Sequence, residues 1–414
     1  MSQSIARVLE PTAWKLLETV TPLGVENART ALDDIDADTR AAILTQVELR
    51  HLGREKFGDF AQSLLLTRDG LEQATRLSVG ARHAQRFRDG GCTVVADLGC
   101  GIGADALAIA GLGVGVRAWD IDEDAVAATT VNLRFFPNCA VTLGDVTKLS
   151  MPELASQGID GVFADPARRT GSAHGARRIT SPDRWSPSLS HVLQWRNHGA
   201  PADKLGVKVA PGIPYAAIPS DMHAQWISVD KTVVEASLWT PALAPEGPGR
   251  SAVIIRKDRT VTLRSDIDPA GGAPAVEIAP LRRYLWEPDG AIIRAGLLSE
   301  FARRTGAAGI APSIAYLTSE TPVPEEWGPA ISEFEILTTT SLKSGKIATA
   351  LRDLSATDIQ VKKRGADISP DTLRRSLLKA CRIRRASGEN PITVFATRVG
   401  EKHRAIIAQR VPLP

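Results

Sequence analysis

The sequence has little of what holds small extracellular or metal-stabilised folds together. Its 414 residues include four cysteines (Cys92, Cys100, Cys139 and Cys381) and seven histidines, with no C-x-x-C pair and no spacing typical of zinc ligands. This argues against a structural zinc site and against a disulfide framework, so we expect no bound metal. Cysteines used in this way favour a reducing compartment.

Long apolar runs are also absent. The longest, residues 106–116, falls well short of the roughly 20 apolar residues that a membrane-spanning helix needs. The first residues, MSQSIARVLEPTAW, contain no apolar core followed by a small-residue cleavage site. We therefore expect neither a membrane span nor a secretory signal, and a cytoplasmic location. Apolar content of 43% and charged content of 23% are ordinary for a soluble globular protein.

Positive charge is concentrated in one segment. The whole chain carries +3, but residues 341–385 hold twelve lysines and arginines against four aspartates, a local charge of +8. A local basic patch favours a polyanionic partner such as nucleic acid. The alternative is a solvated basic helix face without a partner.

Apolar patterning divides the chain into four predicted parts. Residues 1–85 show helical periodicity, and residues 86–258 alternate short apolar runs with helical segments. Residues 259–280 are predicted to form a connecting hairpin, and residues 281–414 a separate, basic α+β domain.

The second part has the pattern of a parallel sheet. Helical segments at 104–111 and 123–133 separate apolar runs that are continuous rather than alternating, namely 93–98, 116–119, 140–143, 161–164 and 205–209. Continuous apolar strands joined by helices are typical of a parallel sheet covered on both faces. A hairpin of residues 232–238 and 251–256 is predicted to follow. In the last part we expect two strands and two helices, near 335–339, 392–397, 346–355 and 369–381.

A glycine-rich turn follows the first of these strands. The run Asp97-Leu98-Gly99-Cys100-Gly101-Ile102-Gly103 lets the backbone turn sharply and approach a ligand without a Cβ in the way. Its spacing is G-x-G-x-G, whereas a pyrophosphate-binding loop reads G-x-G-x-x-G. Asp97 would repel a pyrophosphate, but it suits a cationic amino group such as that of S-adenosylmethionine (SAM).

Two further acids follow the next two strands. Asp120 ends the second strand, where a carboxylate can accept hydrogen bonds from both ribose hydroxyls. Gly144-Asp145 follow the third strand, where an aspartate can bind an adenine amine. Because open α/β sheets bind ligands at the carboxyl ends of their strands, the pattern favours SAM over NAD or purely structural glycines. It predicts cofactor contacts from Asp97, Gly99, Cys100, Gly101, Gly103, Asp120, Ile121, Gly144 and Asp145.

These residues resemble motifs I, II and III of class I SAM-dependent methyltransferases, over roughly residues 71–256. The resemblance implies an α/β fold: a Rossmann-like methyltransferase sheet behind an N-terminal helical region. Residues 284–290 (YLWEPDG) and the basic domain after them resemble the α+β THUMP-like domain that follows some bacterial methyltransferases. THUMP domains proper are RNA-binding modules, so the resemblance implies an RNA partner.

Asp165-Pro166-Ala167-Arg168 follow the fourth predicted strand, where methyltransferases of this class keep a catalytic loop. They resemble the Asp-Pro-Pro-aromatic motif of enzymes that methylate exocyclic amines of bases. The resemblance implies that Asp165 orients the acceptor amine and that Pro166 fixes the loop. Arg168 replaces the aromatic residue, and its guanidinium plane can also stack on a base. We expect Asp165, Pro166 and Arg168 to be the catalytic residues.

The same loop also looks like that of uridine C5-methyltransferases. Those enzymes need a cysteine nucleophile close to the methyl donor, to activate a carbon that is not itself nucleophilic. None of the four cysteines follows the fourth or fifth predicted strand. C5 chemistry is therefore disfavoured.

An arginine-rich run, residues 169–185, continues from this loop. It suits phosphate contacts and base stacking, and the alternative is an ordinary surface loop with tryptophans in the core. The predicted substrate contacts are Arg169, Arg177, Arg178 and Trp185 here, and Lys362, Lys363 and Arg364 in the C-terminal patch.

Together these features predict SAM-dependent methylation of a base in structured RNA (tRNA or rRNA). A small-molecule methyltransferase, and a SAM-binding, RNA-associated protein without turnover, remain alternatives. The oligomeric state is open.

Overall fold

The computed structural model describes residues 1–167, 181–257, 259–383 and 391–412. Contacts group the chain into two compact units. The first contains Met1–His223 and Ser237–Pro248, and the second contains Ala224–Ala236 and Gly249–Pro414. The finer division into four parts stays a prediction.

The first unit begins with helices whose apolar faces share one core. Leu17, Ile43, Leu65 and Leu66 are buried in that core. The helices are α1 (Gln3–Val8), α2 (Pro11–Val20), α3 (Val25–Ala31), α4 (Ala37–Phe57), α5 (Arg68–Gln73) and α6 (Leu77–Asp89). The helical periodicity of this region therefore predicted its structure. Across the part of the chain that the structure describes, no helix combines the length and apolar character needed to cross a membrane.

Five parallel strands follow, with helices between them. They pair in the order β3-β2-β1-β4-β5. Leu98 lies opposite both Trp119 and Ala164, so the carboxyl ends of neighbouring strands reach the same edge of the sheet. The elements are β1 (Val94–Leu98), α7 (Ala104–Gly111), β2 (Gly115–Asp120), α8 (Glu123–Asn132), β3 (Cys139–Leu143), α9 (Met151–Ser156), β4 (Gly161–Ala164), α10 (Leu189–Gln194) and β5 (Leu205–Val209). The predicted parallel sheet is confirmed, with strand bounds within a residue.

The strands after β5 correct two predicted pairings. They are β6 (His223–Val229), β7 (Thr232–Trp239), β8 (Gly249–Arg256) and β9 (Arg259–Ser265), in the order β7-β6-β8-β9. The expected hairpin of 232–238 with 251–256 is wrong, because β6 lies between those strands. The expected pairing within 259–280 is also wrong: β9 pairs with β8, and Ile278 makes only an isolated bridge to Gly309.

The second sheet has helices packed on one face. Its order is β11-β12-β10-β13-β16-β15-β14. Ile347, Leu351 and Leu377 of the helices pack with Val394 and Ile407 of the sheet. The elements are β10 (Tyr284–Pro288), α11 (Gly290–Arg294), α12 (Leu298–Thr305), β11 (Ala308–Gly309), β12 (Leu317–Ser319), β13 (Ile331–Ser341), α13 (Ser344–Asp353), β14 (Ile359–Arg364), α14 (Pro370–Ala380), β15 (Ile392–Val399) and β16 (Lys402–Arg410). The two strands and two helices expected here are confirmed.

Candidate active site

The glycine loop makes a tight turn from β1 into α7. Gly99, Gly101 and Gly103 have φ angles of 88°, 55° and 79°, a region that favours glycine. A Cβ at Gly99 would lie 3.0 Å from the carbonyl oxygen of Asp165, so the bare glycine lets the loops after β1 and β4 approach each other. The Gly101 amide donates to Asp120 Oδ2 at 2.8 Å, which ties the loop to the end of β2.

A cavity of about 320 Å³ opens at this edge of the sheet. It brings together seven of the nine predicted cofactor residues and two of the three predicted catalytic residues, from the ends of four different strands. They are Gly99, Cys100, Gly101, Asp120, Ile121, Gly144, Asp145, Asp165 and Pro166. Two of the predicted cofactor residues, Asp97 and Gly103, do not line it.

The cavity is strongly acidic. Lys208 is the only lysine or arginine among its described lining residues, whereas six carboxylates line it: Asp69, Asp105, Asp120, Asp122, Asp145 and Asp165. An excess of carboxylates attracts a ligand that carries positive charge and disfavours a pyrophosphate. The lining therefore fits a cationic ligand, as the position of Asp97 suggested.

Asp97 adds to this field from inside the fold. Its side chain is 1% exposed, and within the described part of the chain its Oδ2 has no hydrogen-bond partner. Burial raises the pKa of Asp97 well above its ordinary value, and the charges of Asp105, Asp165 and Asp120 raise it further. A positive charge in the cavity would compensate this carboxylate, so an orphaned acid here fits the amino group of SAM.

The acids after β2 and β3 are held in different ways. Asp120 Oδ1 accepts from the Asp122 amide at 3.0 Å, and burial raises the pKa of Asp120. Asp145 Oδ1 accepts from both the hydroxyl and the amide of Thr147, at 2.7 and 3.0 Å, and these bonds lower the pKa of Asp145. Ile121, next to Asp120, is 72% exposed. This pair of acids with an exposed apolar side chain can bind a polar, flat ligand such as a nucleoside.

One wall of the cavity comes from a segment that the sequence analysis did not assign to the site. We call this segment, residues 67–75, the strap; its lining residues are Thr67, Asp69, Gly70, Gln73, Ala74 and Thr75. Lys56 Nζ donates to the carbonyl oxygens of Leu71, Glu72 and Ala74, each at 2.8 Å. Burial lowers the pKa of Lys56 to about 8, with the charge of Lys208 adding to the effect.

The chain just before the strap is anchored by two side chains from distant helices. Asn132 bonds both the amide and the carbonyl of Leu65, at 2.8 and 3.0 Å, and Gln46 does the same for Leu66, at 3.0 and 2.7 Å. All four residues are buried. These bonds join positions 20 to 67 residues apart, so local sequence patterns could not reveal them.

The loop after β4 carries the predicted catalytic residues. Asp165 Oδ2 accepts from Lys208 Nζ at 2.8 Å, and Pro166 is buried. Ala167 forms two backbone hydrogen bonds with Ser186, of 2.9 and 3.0 Å. The remaining predicted residues of this region, Arg168, Arg169, Arg177 and Arg178, lie outside the described residues.

The expected stacking role of Trp185 needs correction. Trp185 is 4% exposed and Trp195 is 5% exposed, so both pack inside the first unit. An indole that is buried in this way presents no face on which a base could stack. The alternative weighed from the sequence, tryptophans in the core, is what the structure shows.

The three basic residues of β14 do not form one free patch. Lys362 is paired with Glu287 and lies over the rings of Phe334 and Phe395, at 5.4 and 6.0 Å. Arg364 donates to the carbonyl oxygen of Ala315 at 3.0 Å and is half-buried. Lys363 is exposed. Side chains alternate along a strand, so neighbouring cations necessarily face opposite sides of the sheet.

The cysteines are poorly suited to nucleophilic chemistry. None is in a disulfide, and Cys100 is the one that lines the cavity. Burial raises the pKa of Cys100 well above its ordinary value, and the charges of Asp97 and Asp120 raise it further. Because the thiolate is the nucleophile, this environment disfavours a covalent C5 mechanism.

Comparisons with known proteins agree with this geometry. Residues 332–410 match the family model described as THUMP domain-like. A crystal structure of a candidate methyltransferase from Porphyromonas gingivalis W83 superposes with a TM-score of 0.72, at 18% identity, over 95% of this chain and 97% of that one. That likeness confirms the predicted fold class.

Two proteins of Mycobacterium tuberculosis, from strains CDC 1551 and H37Rv, are each 30% identical to this chain over 362 residues. The match covers 85% of this chain and 91% of theirs, and both are named as uncharacterised S-adenosylmethionine-dependent methyltransferases. By this similarity, and by its cavity and its C-terminal sheet, the chain belongs to the class I SAM-dependent methyltransferases that carry a THUMP-like domain.

Proposed function

We propose that this enzyme methylates a base of structured RNA, such as tRNA or rRNA. The observation that carries the proposal is the presence, in one chain, of an acidic cavity bordered by Asp165-Pro166 and of a THUMP-like domain. The cavity suits the cofactor and one uncharged base, whereas phosphates would be repelled from its lining. Phosphates therefore need basic residues elsewhere, and the second unit supplies them.

The cofactor would occupy the part of the cavity next to the glycine loop. We assign the ribose to Asp120, and the adenine to Ile121, Gly144 and Asp145. We assign the methionine portion to the loop Gly99–Cys100–Gly101. Gly103 permits the turn from this loop into α7. Asp97 supports the amino group through its charge, because it is too buried to reach the cavity surface. When bound, SAM supplies an electrophilic methyl group.

Asp165 would orient the acceptor. Its Oδ2 is engaged by Lys208, and no bond to Oδ1 joins it to any residue in the described ranges. Oδ1 can therefore accept a hydrogen bond from an exocyclic amine and aim the nitrogen lone pair at the methyl group. Alignment supplies most of the acceleration, since the methyl donor is already reactive. We keep Pro166 as the residue that fixes this loop and Arg168 as the residue that grips the base.

The RNA backbone would bind the helix side of the second sheet. Several cations on and around α13, β14 and α14 are exposed: Lys343, Lys346, Lys363, Arg375, Lys379 and Arg382. Arg169, Arg177 and Arg178, which follow Asp165 along the chain, are proposed to add phosphate contacts. Lys362 and Arg364 would act indirectly, since both are engaged within their own unit.

Methyl transfer from labelled SAM decides among the alternatives. The enzyme is incubated with RNA, protein and metabolite fractions of the same cells, beside an Asp165→Ala variant as control. We expect label in the RNA fraction, sensitive to ribonuclease and dependent on Asp165. Label confined to the metabolite fraction would identify a small-molecule methyltransferase. Tight SAM binding without transfer to any fraction would identify a non-catalytic protein.

A further inference from the structure

A buried lysine joins the catalytic loop to the strap. Lys208, at the end of β5, is 4% exposed. Its ammonium donates to three oxygens: Asp165 Oδ2 at 2.8 Å, Thr75 Oγ1 at 2.9 Å and the Gln73 carbonyl at 3.3 Å. The first lies on the loop after β4 and the other two on the strap. One side chain therefore holds two walls of the cavity.

The hydrogen-bond chain continues inward from Thr75. The Thr75 hydroxyl donates to Asp105 Oδ2 at 2.6 Å, and Asp105 Oδ1 lies 2.8 Å from His83 Nδ1. A hydroxyl has one proton, so Thr75 gives it to Asp105 and must accept from Lys208. Asp105 and His83 are buried, at 6% and 0% exposure. The direction of every bond from Lys208 to Asp105 is thereby fixed.

Charge supports the same direction. Burial alone would raise the pKa of Asp105, but the bond from His83, the charge of Lys208 and the bond from Thr75 outweigh it, so this pKa lies below its ordinary value. Asp105 is therefore an anion near neutral pH, and it anchors Thr75 as an acceptor for the ammonium. A buried lysine so surrounded by oxygens is held in one place.

We propose that Lys208 is a positioning residue that couples the strap to Asp165. When the strap is seated, Lys208 holds Asp165 Oδ2 and leaves Oδ1 for the acceptor. When the strap moves away, the ammonium loses its bonds to Thr75 and Gln73, and Asp165 loses its fixed orientation. The proposal rests on the acceptor-orienting role proposed for Asp165. It makes the strap, whose Asp69 and Gln73 line the cavity, a part of the catalytic apparatus.

Hydrogen exchange of the strap amides tests the coupling without any methyl acceptor. Four full-length proteins are compared: wild type, Lys208→Met, Asp165→Ala and the double variant. We expect exchange in residues 67–75 about tenfold faster in Lys208→Met and severalfold faster in Asp165→Ala, although among the described residues the hydrogen bonds link Asp165 to the strap through Lys208. The double variant should exchange no faster than Lys208→Met. Wild-type exchange in Asp165→Ala, or additive effects, would overturn the proposal.

A second pair of variants covers the case in which Lys208→Met does not fold. Thr75→Val removes the hydroxyl at constant shape, and Thr75→Ser keeps it. Turnover should fall about 100-fold for Val, within the range of a lost catalytic orientation, and stay within about threefold for Ser. SAM affinity should change by less than about fivefold in both. The strap amides should exchange faster than in the wild type in Thr75→Val but not in Thr75→Ser. Equal turnover and equal strap exchange in the two variants would overturn the coupling.

Thr45→Val is the matched control, because the Thr45 hydroxyl donates to the Ala41 carbonyl of its own helix in a solvent-exposed hydrogen bond, and Thr45 does not line the cavity. It should change neither turnover nor strap exchange. The two proposals fail in different ways. If Asp165→Ala keeps full turnover while its strap exchanges faster, the proposed role of Asp165 is wrong and the coupling stands. If turnover depends on Asp165 but the strap amides exchange at the wild-type rate in both Lys208→Met and Asp165→Ala, the coupling is wrong.

Discussion

The Asp120 carboxylate stabilises the local backbone, in addition to its proposed role in binding the ribose. Its two oxygens accept from the amides of Gly101 and Asp122, so it shapes the glycine loop and the turn after β2. A carboxylate accepts more than one hydrogen bond at each oxygen, which leaves capacity for two ribose hydroxyls. Its burial makes the charged form costly, and hydroxyl donors reduce that cost.

We expect Asp120→Ala to weaken SAM binding by about 1.5–3 kcal/mol, the range for lost charge-assisted hydrogen bonds. Isothermal titration calorimetry measures this directly. Asp59→Ala is the control, since Asp59 is an exposed carboxylate paired with Arg54 and does not line the cavity. Equal affinity of wild type and Asp120→Ala would show that the ribose binds elsewhere.

Among the elements, those set by local pattern were predicted and those set by distant contacts were not. The sequences of β1, β4 and β5 are short and mostly apolar, which predicts that these strands are buried, although β1 also buries Asp97 and β5 buries Lys208. β6 contains the polar residues His223 and Gln225, which hid its burial. His223 bonds the Gly247 carbonyl at 3.0 Å and Gln225 bonds Ser251 at 3.3 Å, so long-range partners make these positions tolerable.

The candidate site divides in the same way. The glycine loop and the acids after β2 and β3 were identified because each lies at a strand end, which the sequence marks. The strap was missed because Asn132, Gln46 and Lys56 place it, from other helices. The sequence of β14, IQVKKR, predicts three basic residues available to a substrate, because it does not show that Lys362 pairs with Glu287 and that Arg364 donates to the Ala315 carbonyl.

The start of α7 gives a stability prediction. Gly103 has φ of 79°, and a Cβ there would lie 2.9–3.3 Å from Thr129 atoms. Gly103→Ala should therefore cost about 1–2 kcal/mol for the left-handed conformation, and more for the crowding. Gly113→Ala is the control, because Gly113 has a similar φ of 83° but open space around it. Urea denaturation should show a larger loss of unfolding free energy for Gly103→Ala than for Gly113→Ala. Equal losses would mean that the Thr129 side chain moves aside without destabilising the protein.

The edge strand β14 gives a prediction about the partner. Lys363→Ser should weaken binding to all RNA sequences alike and reduce the salt slope of log affinity by about 0.7–0.9, the value of one lost phosphate contact. Lys362→Ser should instead lower stability, because it leaves Glu287 without its partner. Filter binding at several salt concentrations and thermal unfolding measure the two effects. Lys15→Ser, at an exposed position of α2, is the control. An unchanged slope for Lys363→Ser would remove that residue from the interface.

At the scale of the whole molecule, the net charge of +3 includes two regions whose charges have opposite signs. The first unit holds a cavity lined by carboxylates, and the second exposes cations around α13 and α14. Salt screens exposed charges far more than partly buried ones. If RNA is the substrate, as proposed, raising salt from about 50 to 200 mM should therefore raise KM for RNA steeply, while KM for SAM changes by less than about threefold. Parallel changes in both constants would mean that the two substrates share one electrostatic surface.

The raised pKa of Asp97 implies that cofactor binding releases a proton. Since its pKa is raised in the free protein, Asp97 holds a proton at acidities where an ordinary aspartate has lost one. A cationic ligand nearby favours the anion, so binding should expel that proton and affinity should rise with pH up to the raised pKa. Below the raised pKa, the calorimetric enthalpy of SAM binding should then differ between phosphate and imidazole buffers at the same pH, because the two take up the released proton with different enthalpies. Identical enthalpies would contradict this, and in Asp97→Asn the difference should vanish.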